Sequence, residues 1–311
     1  MPIANGSDRI ACVLLLVDYS SLLYRAFHSL PDTVPMHGVY GFLNMLARLL
    51  TDQRPSGFAI AVDDDWRPAF RVEALPSYKR HRVAEDGEED PVAPQEAVGR
   101  EVLIALGLSV VGAEGFEAED VIATLAARAG GPVAIVSGDR DLFALVRDPD
   151  VRVLYPKMGV SQLTVVDEAE ITRRYGIPGR AYGDFALLRG DPSDGLPGVA
   201  GIGEKTAAKL VAEHGSLDAI LRARGLAPAV ARRLEAGREY LAAARQVVLP
   251  VRDVPLPPIS TVLPRSRANA AALAALVERY ALASPVRRVE EALGFKEGHL
   301  VGGDRSPNVR E

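Results

Sequence analysis

Short apolar runs that end at or near an aspartate are the feature of this sequence that most restricts its fold. Asp18 ends the first run, Asp63 to Asp65 end the second, and Asp139 lies three residues beyond a later run that closes at Val136. Stretches with apolar residues at three-to-four spacing separate the runs, and this alternation is typical of a parallel sheet covered by helices. Because parallel strands end on one edge of their sheet, we expect these acids to meet there.

The alternation predicts five strands and five helices before residue 163. The predicted strands are Cys12–Val17, Gly57–Val62, Ser109–Val111, Val133–Val136 and Val151–Leu154. The predicted helices are Leu22–Phe27, Tyr40–Leu50, Pro94–Leu106, Ala118–Ala129 and Asp141–Leu145. Thr164 to about Gly294 shows helical segments broken by Gly and Pro without a strand pattern, which predicts a helical region. The tail from Phe295 is rich in Gly, polar and charged residues, which predicts disorder.

The composition is that of a globular protein. The chain has 311 residues, of which 48% are hydrophobic and 25% are charged, enough for a core of ordinary size. No apolar run approaches the roughly 20 residues that span a bilayer, and no secretory signal begins the chain, so we expect a cytoplasmic protein with no membrane partner. Cys12 is the single cysteine. This excludes an intramolecular disulfide and a thiolate zinc cluster, and the surrounding apolar run predicts an inert buried thiol.

The net charge of −5 argues at first against a nucleic-acid partner, which favours a basic surface. The distribution of charge changes this interpretation. Two divalent ions would bring the sum to about −1, and the segment from Trp66 to Arg82 has five basic residues against one acid. On charge alone, this segment is equally consistent with a solvated loop and with a phosphate-binding surface.

Five acidic clusters could meet in the folded chain. They are Asp18, Asp64, Glu117 with Glu119 and Asp120, Asp139 with Asp141, and Asp191 with Asp194. Taken alone, each cluster is better explained by helix capping and solvated turns. Together on one sheet edge they would repel each other without a cation, and a dense carboxylate site is what two Mg²⁺ or Mn²⁺ ions need to cleave a phosphodiester.

A glycine-rich stretch at residues 198–206 lies between two predicted helices. Glu204 interrupts the Gly-Lys step that a P-loop requires, and no strand precedes the stretch, so a nucleotide-binding loop is disfavoured. A glycine-rich turn does allow backbone N–H groups to approach a phosphate closely. Lys205 and Lys209 in the following helix add positive charge.

Four motifs resemble the bacterial 5′ nuclease and flap-endonuclease family, which includes the amino-terminal 5′-nuclease domain of DNA polymerase I. The motifs are Leu16-Val17-Asp18 with Tyr24-Arg25-Ala26-Phe27, Gly115 to Asp120, Gly138-Asp139-Arg140-Asp141-Leu142, and the long stretch Gly190 to Thr206. The resemblance covers about Val13 to Gly294. It implies an α/β fold with a PIN-like parallel sheet flanked by helices at residues 9–163, and a helical region at 164–294 that contains a helix-hairpin-helix element at about 184–215. Residues 295–311 form the tail.

The resemblance also implies a two-metal site of Mg²⁺ or Mn²⁺. The first ion would lie among Asp18, Asp64, Glu117 and Glu119, and the second among Asp139, Asp141, Asp191 and Asp194, with Asp120 near both. Asp64 is chosen over Asp63 and Asp65 because the family places its acid six residues before the Phe of a Phe-Arg pair, here Phe70-Arg71. A one-residue alternative stays open.

The resemblance assigns DNA contacts as well. Tyr78 to Arg82 matches the start of a gateway, at about 66–95, through which a 5′ strand passes, with Lys79 and Arg82 stabilising the scissile phosphate. The hairpin would hold duplex DNA through its backbone, with K⁺ as a further cofactor. The expected DNA-binding residues are Arg25, Arg71, Arg80, Gly198, Gly201, Gly203, Lys205, Thr206 and Lys209.

Three positions depart from the family pattern. Tyr19 replaces a Gly and could narrow the path of DNA to Asp18, Glu119 replaces an Asp, and Gly195 replaces an Asn. None of these removes a carboxylate.

The expected function is therefore that of a structure-specific 5′ nuclease acting on branched or 5′-ended DNA in replication and repair. With no polymerase domain expected after Gly294, it would act as a monomer beside a separate polymerase and ligase. A noncatalytic DNA-junction binder and a PIN-type ribonuclease are the alternatives. The balance of exonuclease and endonuclease activity and the preference between Mg²⁺ and Mn²⁺ stay open.

Overall fold

The computed structural model describes residues 14–83 and 90–295, and six strands in this part form one sheet in the order β3-β2-β1-β4-β5-β6. Neighbouring strands from β1 to β5 pair in parallel, and only β6 runs antiparallel, against β5. The strands are β1 Leu14–Asp18, β2 Gly57–Ala61, β3 Val110–Val111, β4 Val133–Val136, β5 Val151–Pro156 and β6 Leu163–Val166. The parallel sheet predicted from the apolar runs is confirmed.

Strand β6 was not predicted, and the absence of strands after residue 163 was a wrong expectation. Its sequence Leu-Thr-Val-Val is only half buried because β6 is the edge of the sheet, paired on one side. The central strands β1, β2 and β4 are buried along their whole length. A strand buried on both faces is a continuous apolar run, whereas a short edge strand gives a weaker signal.

Helices of the first half cover the two faces of the sheet. Asp141–Leu145, predicted as a helix, is a 3-10 helix, and α3 was not predicted. The segment Arg80–Arg82 is also a 3-10 helix. The helices are α1 Tyr19–Phe27, α2 His37–Gln53, α3 Ala69–Ala74, α4 Ala93–Leu106 and α5 Ala118–Arg128.

The second half is helical after β6, as predicted. Short 3-10 turns lie at Gly179–Ala181 and Pro192–Asp194. The helices are α6 Glu168–Tyr175, α7 Tyr182–Arg189, α8 Glu204–His214, α9 Leu217–Arg222, α10 Pro228–Ala236, α11 Arg238–Val248, α12 Ala270–Tyr280 and α13 Ala283–Leu293.

The last two helices return to the first half of the chain. Helix α12 packs on α4 and α13 packs on α2, within the core on one face of the sheet. The core on the other face joins α5 to α7, α8 and α11. The connection between α11 and α12 lies along the sheet, where Phe58 donates its backbone N–H to Thr261 O at 2.7 Å. Residues 270–294 thus belong in space with the first half, although the sequence grouped them with the helices after residue 164.

Four sequence-based expectations concern membrane spans, Cys12, the tail and the gateway. No helix of the described part has the length and hydropathy that crossing a bilayer requires. Cys12 and residues 296–311 lie outside the described residues, as do the gateway residues 84–89.

Tyr19, whose effect on the approach to Asp18 the sequence left open, does not narrow that approach. Its side chain is fully buried and packs edge-on against Phe42, with ring centroids 4.8 Å apart. The hydroxyl Oη donates to Glu96 O at 3.0 Å. Helix α4 accommodates the ring at Gly99, where an added Cβ would lie 1.9 Å from Oη. The tyrosine therefore fills the space between β1 and α4, away from the acids.

The Gly99 contact predicts coupling between the two positions. Gly99→Ala should lower the free energy of unfolding by about 1–3 kcal/mol, because the methyl group overlaps a buried hydroxyl. Tyr19→Phe removes that hydroxyl, so the double variant should be more stable than the sum of the two single effects allows. Urea unfolding of the four proteins measures the coupling, and strictly additive effects would contradict the packing described here.

Candidate metal centre

The predicted acids line one large cleft at the carboxyl end of the sheet. The cleft has a volume of about 2140 Å³, and its walls also carry Arg25, Lys79, Arg80 and Arg82. Strands β1, β2 and β4 each deliver an acid to it, as expected from parallel strands. The predicted acids in its walls are Asp18, Asp64, Glu117, Glu119, Asp139, Asp141, Asp191 and Asp194, whereas Asp120 is absent from them.

Asp18 is held in place by two serines. Its carboxylate accepts from Ser21 N at 3.1 Å and from Ser137 Oγ at 2.6 Å. The same Ser137 Oγ accepts from Asp139 N at 2.9 Å, so one buried hydroxyl links the acids that follow β1 and β4. Sequence reasoning missed Ser137. Its position between a buried strand and the Gly138-Asp139 pair was the available signal.

Asp18 lies in a strongly anionic environment. Burial raises the pKa of its carboxyl group to about 7, and the charges of Asp63 and Asp139 add to the increase. A buried carboxylate without a cationic partner favours either a proton or a metal ion.

Asp63, rather than Asp64, is the acid directed toward Asp18. One oxygen of Asp63 accepts from Ala118 N at the start of α5, at 2.7 Å. Asp64 is exposed and pairs with Arg100 at 2.9 Å, and it packs over Gly112, where a Cβ would lie 2.4 Å from its Oδ2. The structure therefore favours Asp63 over the predicted Asp64 as a ligand, because Arg100 and Gly112 hold the side chain of Asp64 outward.

Arg71 does not contact DNA, and that expectation is wrong. Its side chain is 0% exposed and makes ion pairs with Glu117, Glu119 and Asp120, the last two at 2.7 Å. Burial works against the charged form, but Glu119 and Glu117 raise the pKa of Arg71 above its ordinary value. The guanidinium is a permanent internal cation beneath the cleft.

Asp120 is a structural residue, so its expected role beside the ions is also corrected. Its Oδ1 accepts from Arg71 and from Val251 N at 2.7 Å each. Its Oδ2 accepts from Glu117 N at 3.2 Å, which completes a capping box at the start of α5. Both oxygens are therefore engaged and fully buried.

Glu117 and Glu119, unlike Asp120, line the cleft. Glu117 accepts from Tyr78 Oη and Lys79 Nζ, each at 2.8 Å. Burial raises the pKa of Glu119 well above its ordinary value, although Arg71 works in the opposite direction.

On the far side of the cleft, nearby cations compensate the negative charge of the acids less than they do at Glu117 and Glu119. Burial raises the pKa of Asp141 well above its ordinary value, and the charges of Asp139, Asp194 and Asp191 raise it further. Asp191 caps its own turn by accepting from Ser193 N at 2.9 Å. The turn at residues 191–195 thus brings two acids beside the 3-10 helix that begins at Asp141.

The predicted start of the gateway, Tyr78 to Arg82, is called the gateway base here, and it is fastened to that turn. Lys79 N donates to Asp194 O at 2.9 Å, and Arg82 Nη2 donates to Ser193 O at 2.6 Å and to the Asp194 carboxylate. Gly195 has φ 72°, and a Cβ there would lie 2.2 Å from Ser77 O. Gly195 stands here in place of the family's Asn because the close approach leaves no room for a Cβ.

The cleft fits hard divalent cations. No group of three His, Cys, Asp or Glu side chains within the described ranges is already arranged around a single ion. Mg²⁺ does not require such a group, because it keeps several waters and takes one or two carboxylates directly. The donors are all oxygens, and the buried acids Asp18 and Asp141 have raised pKa values that an ion would reverse.

The glycine-rich stretch forms a turn between α7 and α8. Gly198 is buried, and a Cβ there would lie 2.3 Å from Arg189 O, so it packs internally and its expected DNA contact is wrong. Gly201, Gly203, Lys205 and Lys209 are exposed and Thr206 is half-buried. Gly201 O accepts from Arg233 Nη1 at 3.0 Å, a contact that sequence reasoning missed.

Family comparisons agree with this architecture. Residues 13–176 match the model described as "5'-3' exonuclease, N-terminal resolvase-like domain", and residues 177–270 match "5'-3' exonuclease, C-terminal SAM fold". The chain belongs to the 5′–3′ exonuclease family. The family resemblance inferred from the four motifs is confirmed.

Relatives of this family member cover nearly its whole length. A 5′–3′ exonuclease of Streptomyces coelicolor is 50% identical over 295 residues, covering 88% of this chain and 98% of the relative. One of Mycobacterium tuberculosis is 43% identical, covering 92% and 99%. A solved flap endonuclease of bacteriophage T5, in a complex with DNA and metal ions, has a TM-score of 0.63 at 19% identity, covering 90% and 99%. This last likeness shows the fold of the exonuclease.

The raised pKa of Asp18 predicts a pH-dependent stability. A carboxyl group whose pKa rises from 3.8 to about 7 on folding stabilises the fold below pH 4 and loses that contribution as the pH rises through 7. In EDTA at pH 8, Asp18→Asn should therefore be more stable than the native exonuclease by up to about 4 kcal/mol. The advantage should disappear near pH 4. Thermal unfolding across this range measures it, and parallel pH profiles would contradict the account.

The choice of Asp63 over Asp64 predicts that substitutions at these two positions differ in their effect on Mn²⁺ binding. Asp63→Asn should weaken Mn²⁺ binding at least about tenfold, because it removes a carboxylate beside Asp18. Asp64→Asn should leave the affinity within about twofold. Calorimetric titration with Mn²⁺ compares the two proteins. A larger loss in Asp64→Asn than in Asp63→Asn would restore the original assignment.

Proposed function

We propose that the chain is a structure-specific 5′ nuclease that hydrolyses phosphodiesters in branched or 5′-ended DNA with two divalent metal ions. The observation that carries the proposal is the single cleft in which acids from three strand ends face the cations of the gateway base. The names of the relatives, 5′–3′ exonucleases and a flap endonuclease solved with DNA and metal ions, support it.

Two sets of acids would hold the ions. The first is Asp18, Asp63, Glu117 and Glu119, and the second is Asp139, Asp141, Asp191 and Asp194. Either Mg²⁺ or Mn²⁺ suits these oxygens, and when bound would supply a hydroxide nucleophile and stabilise charge on the phosphate. Ser137 is a positioning residue, since its hydroxyl fixes Asp18 and the backbone of Asp139.

Lys79 and Arg82 would hold the scissile phosphate. Their cationic groups lie beside Glu117 and Asp194, one from each set of acids, so a phosphate reaching both sets also meets both cations. Donors fixed before the reaction stabilise the developing negative charge without reorganisation. Arg80 is exposed at the same mouth of the cleft.

Arg25 would contact DNA on the opposite wall. Its guanidinium lies over Gly138, where a Cβ would be 2.9 Å from Nη2. Gly138 therefore leaves the space that allows an arginine to stand next to the acids.

The hairpin between α7 and α8 would hold the duplex. Gly201, Gly203, Lys205 and Lys209 present backbone and positive charge at the exposed turn, with Thr206 beside them. Such contacts position DNA without reading its sequence. K⁺ at this turn remains a prediction, and the contact between Arg233 and Gly201 argues against it.

We further propose that the enzyme acts as a monomer and supplies its product to a separate polymerase and ligase. Removal of a 5′ flap leaves a nick with a 5′-phosphate, which a ligase seals. Extension of the upstream strand by a polymerase creates the flap.

The two alternatives are less consistent with these findings. A noncatalytic junction binder would not need eight acids in one cleft, and a PIN-type ribonuclease would not need the second domain matched at residues 177–270. Bound divalent ions would offset the repulsion among these acids.

Cleavage of a 5′-labelled double-flap DNA tests the proposal. Asp139→Asn should reduce the cleavage rate at least about 100-fold in Mg²⁺ or Mn²⁺, because it removes a ligand charge. The asparagine keeps an oxygen to accept from Asp141 N, a bond of 2.9 Å in the native chain, so folding should be preserved. Asp52→Asn on α2, at an exposed acid paired with Arg48, is the matched control and should cleave normally.

The same assay separates the alternatives. Tight DNA binding without cleavage under either ion would establish the junction binder. Faster cleavage of a matched single-stranded RNA would establish the ribonuclease.

A further inference from the structure

An arginine from α10 lies on the hairpin turn. Arg233 Nη1 donates to Gly201 O at 3.0 Å. The guanidinium also covers the Cα of Gly201, since a Cβ there would lie 2.7 Å from Nε. Gly201 has φ 78°, so the close contact and the backbone conformation both require glycine.

Helix α10 is fixed against the turn, so the contact is built into the fold. Leu234, next to the arginine, is buried in the core that also contains Val199 of the turn. At the end of α10, Gly237 approaches Val199 so closely that a Cβ would lie 3.1 Å from its methyl group. The backbone that carries Arg233 is therefore held by packing on the turn itself.

The charge of Arg233 is uncompensated. In the described part of the chain, its guanidinium bonds only to Gly201 O and has no carboxylate within ion-pair distance. Two arginines of α11 differ in this respect, because Arg238 pairs with Glu235 and Arg245 pairs with Asp218. Arg233 is also exposed, and a guanidinium has five N–H donors, so most of them are free to meet a phosphate.

The same contact does not fit a monovalent ion at Gly201. A K⁺ ion on this carbonyl would lie within a few ångströms of a guanidinium that is always protonated, and the two charges would repel each other. The guanidinium already donates a hydrogen bond to this carbonyl oxygen.

We propose that Arg233 is the built-in cation of this hairpin, which binds a phosphate of duplex DNA and makes the hairpin independent of K⁺. The inference rests on the proposed function, since it assumes that duplex DNA lies on the turn. Arg233 fixes the turn through Gly201 and offers its other donors to the DNA backbone.

The test measures DNA binding rather than cleavage. Fluorescence anisotropy of a double-flap DNA is recorded with Asp139→Asn as the parent protein, in KCl and in tetramethylammonium chloride at equal ionic strength. Tetramethylammonium cannot be coordinated by carbonyl oxygens. The parent should bind equally in both salts, within about twofold. Adding Arg233→Ala should weaken binding about tenfold and reduce the slope of log affinity against log salt by about one.

Two controls make the result specific. Arg287→Ala, at an exposed arginine of α13 paired with Glu291, should leave affinity and salt slope unchanged. Circular dichroism should show that Arg233→Ala remains folded, and Arg233→Lys should recover part of the affinity and of the slope.

Three outcomes would overturn the inference. The parent could bind much more tightly in KCl than in tetramethylammonium chloride, which would show that the ion is required. Arg233→Ala could bind like Arg287→Ala, which would show that no phosphate is held there. A parent that binds no double-flap DNA in either salt would refute the proposed function itself, and the inference with it.

Discussion

The buried guanidinium of Arg71 is the interaction on which the rest of the structure depends. It makes ion pairs with three acids at the start of α5, and Asp120 connects that cluster to Val251 in the segment that follows α11. Removal of one partner from a buried network of this kind lowers the free energy of unfolding by about 3–5 kcal/mol. One cation therefore joins the gateway helix α3, the acids of the cleft and the second half of the chain.

The placement of this cation divides the cleft into two electrostatic regions. Arg71 and Lys79 partly compensate the charges of Glu117 and Glu119. Asp139 and Asp141 have weaker compensation, and the charge of Asp139 raises the pKa of Asp141. The gateway base bridges the two regions through Lys79 and Arg82. A phosphate that enters between the regions thus meets positive charge from the protein on one side and acids suited to divalent ions on the other.

Much of this could be predicted from the sequence. The central strands are continuous apolar runs because helices cover both faces of the sheet, and an acid at the end of such a strand must lie at the sheet edge. Residue spacing could not separate Asp63 from Asp64, since the choice depends on Arg100 and Gly112 across the fold.

The remaining errors also arose from tertiary contacts. Arg71 was assigned to DNA because charge along the chain does not show burial, and its three acidic partners lie more than forty residues away. Arg233 was missed because its partner is a backbone carbonyl, and a carbonyl leaves no signal in sequence.

The most direct measurement of the central claim is an anomalous difference map from crystals grown with saturating Mn²⁺. The account predicts two peaks in the cleft, one bounded by Asp18, Asp63 and Glu119 and the other by Asp139, Asp141 and Asp194. Peaks absent from the cleft, or confined to acids outside it, would contradict a two-metal nuclease centre at the edge of this sheet.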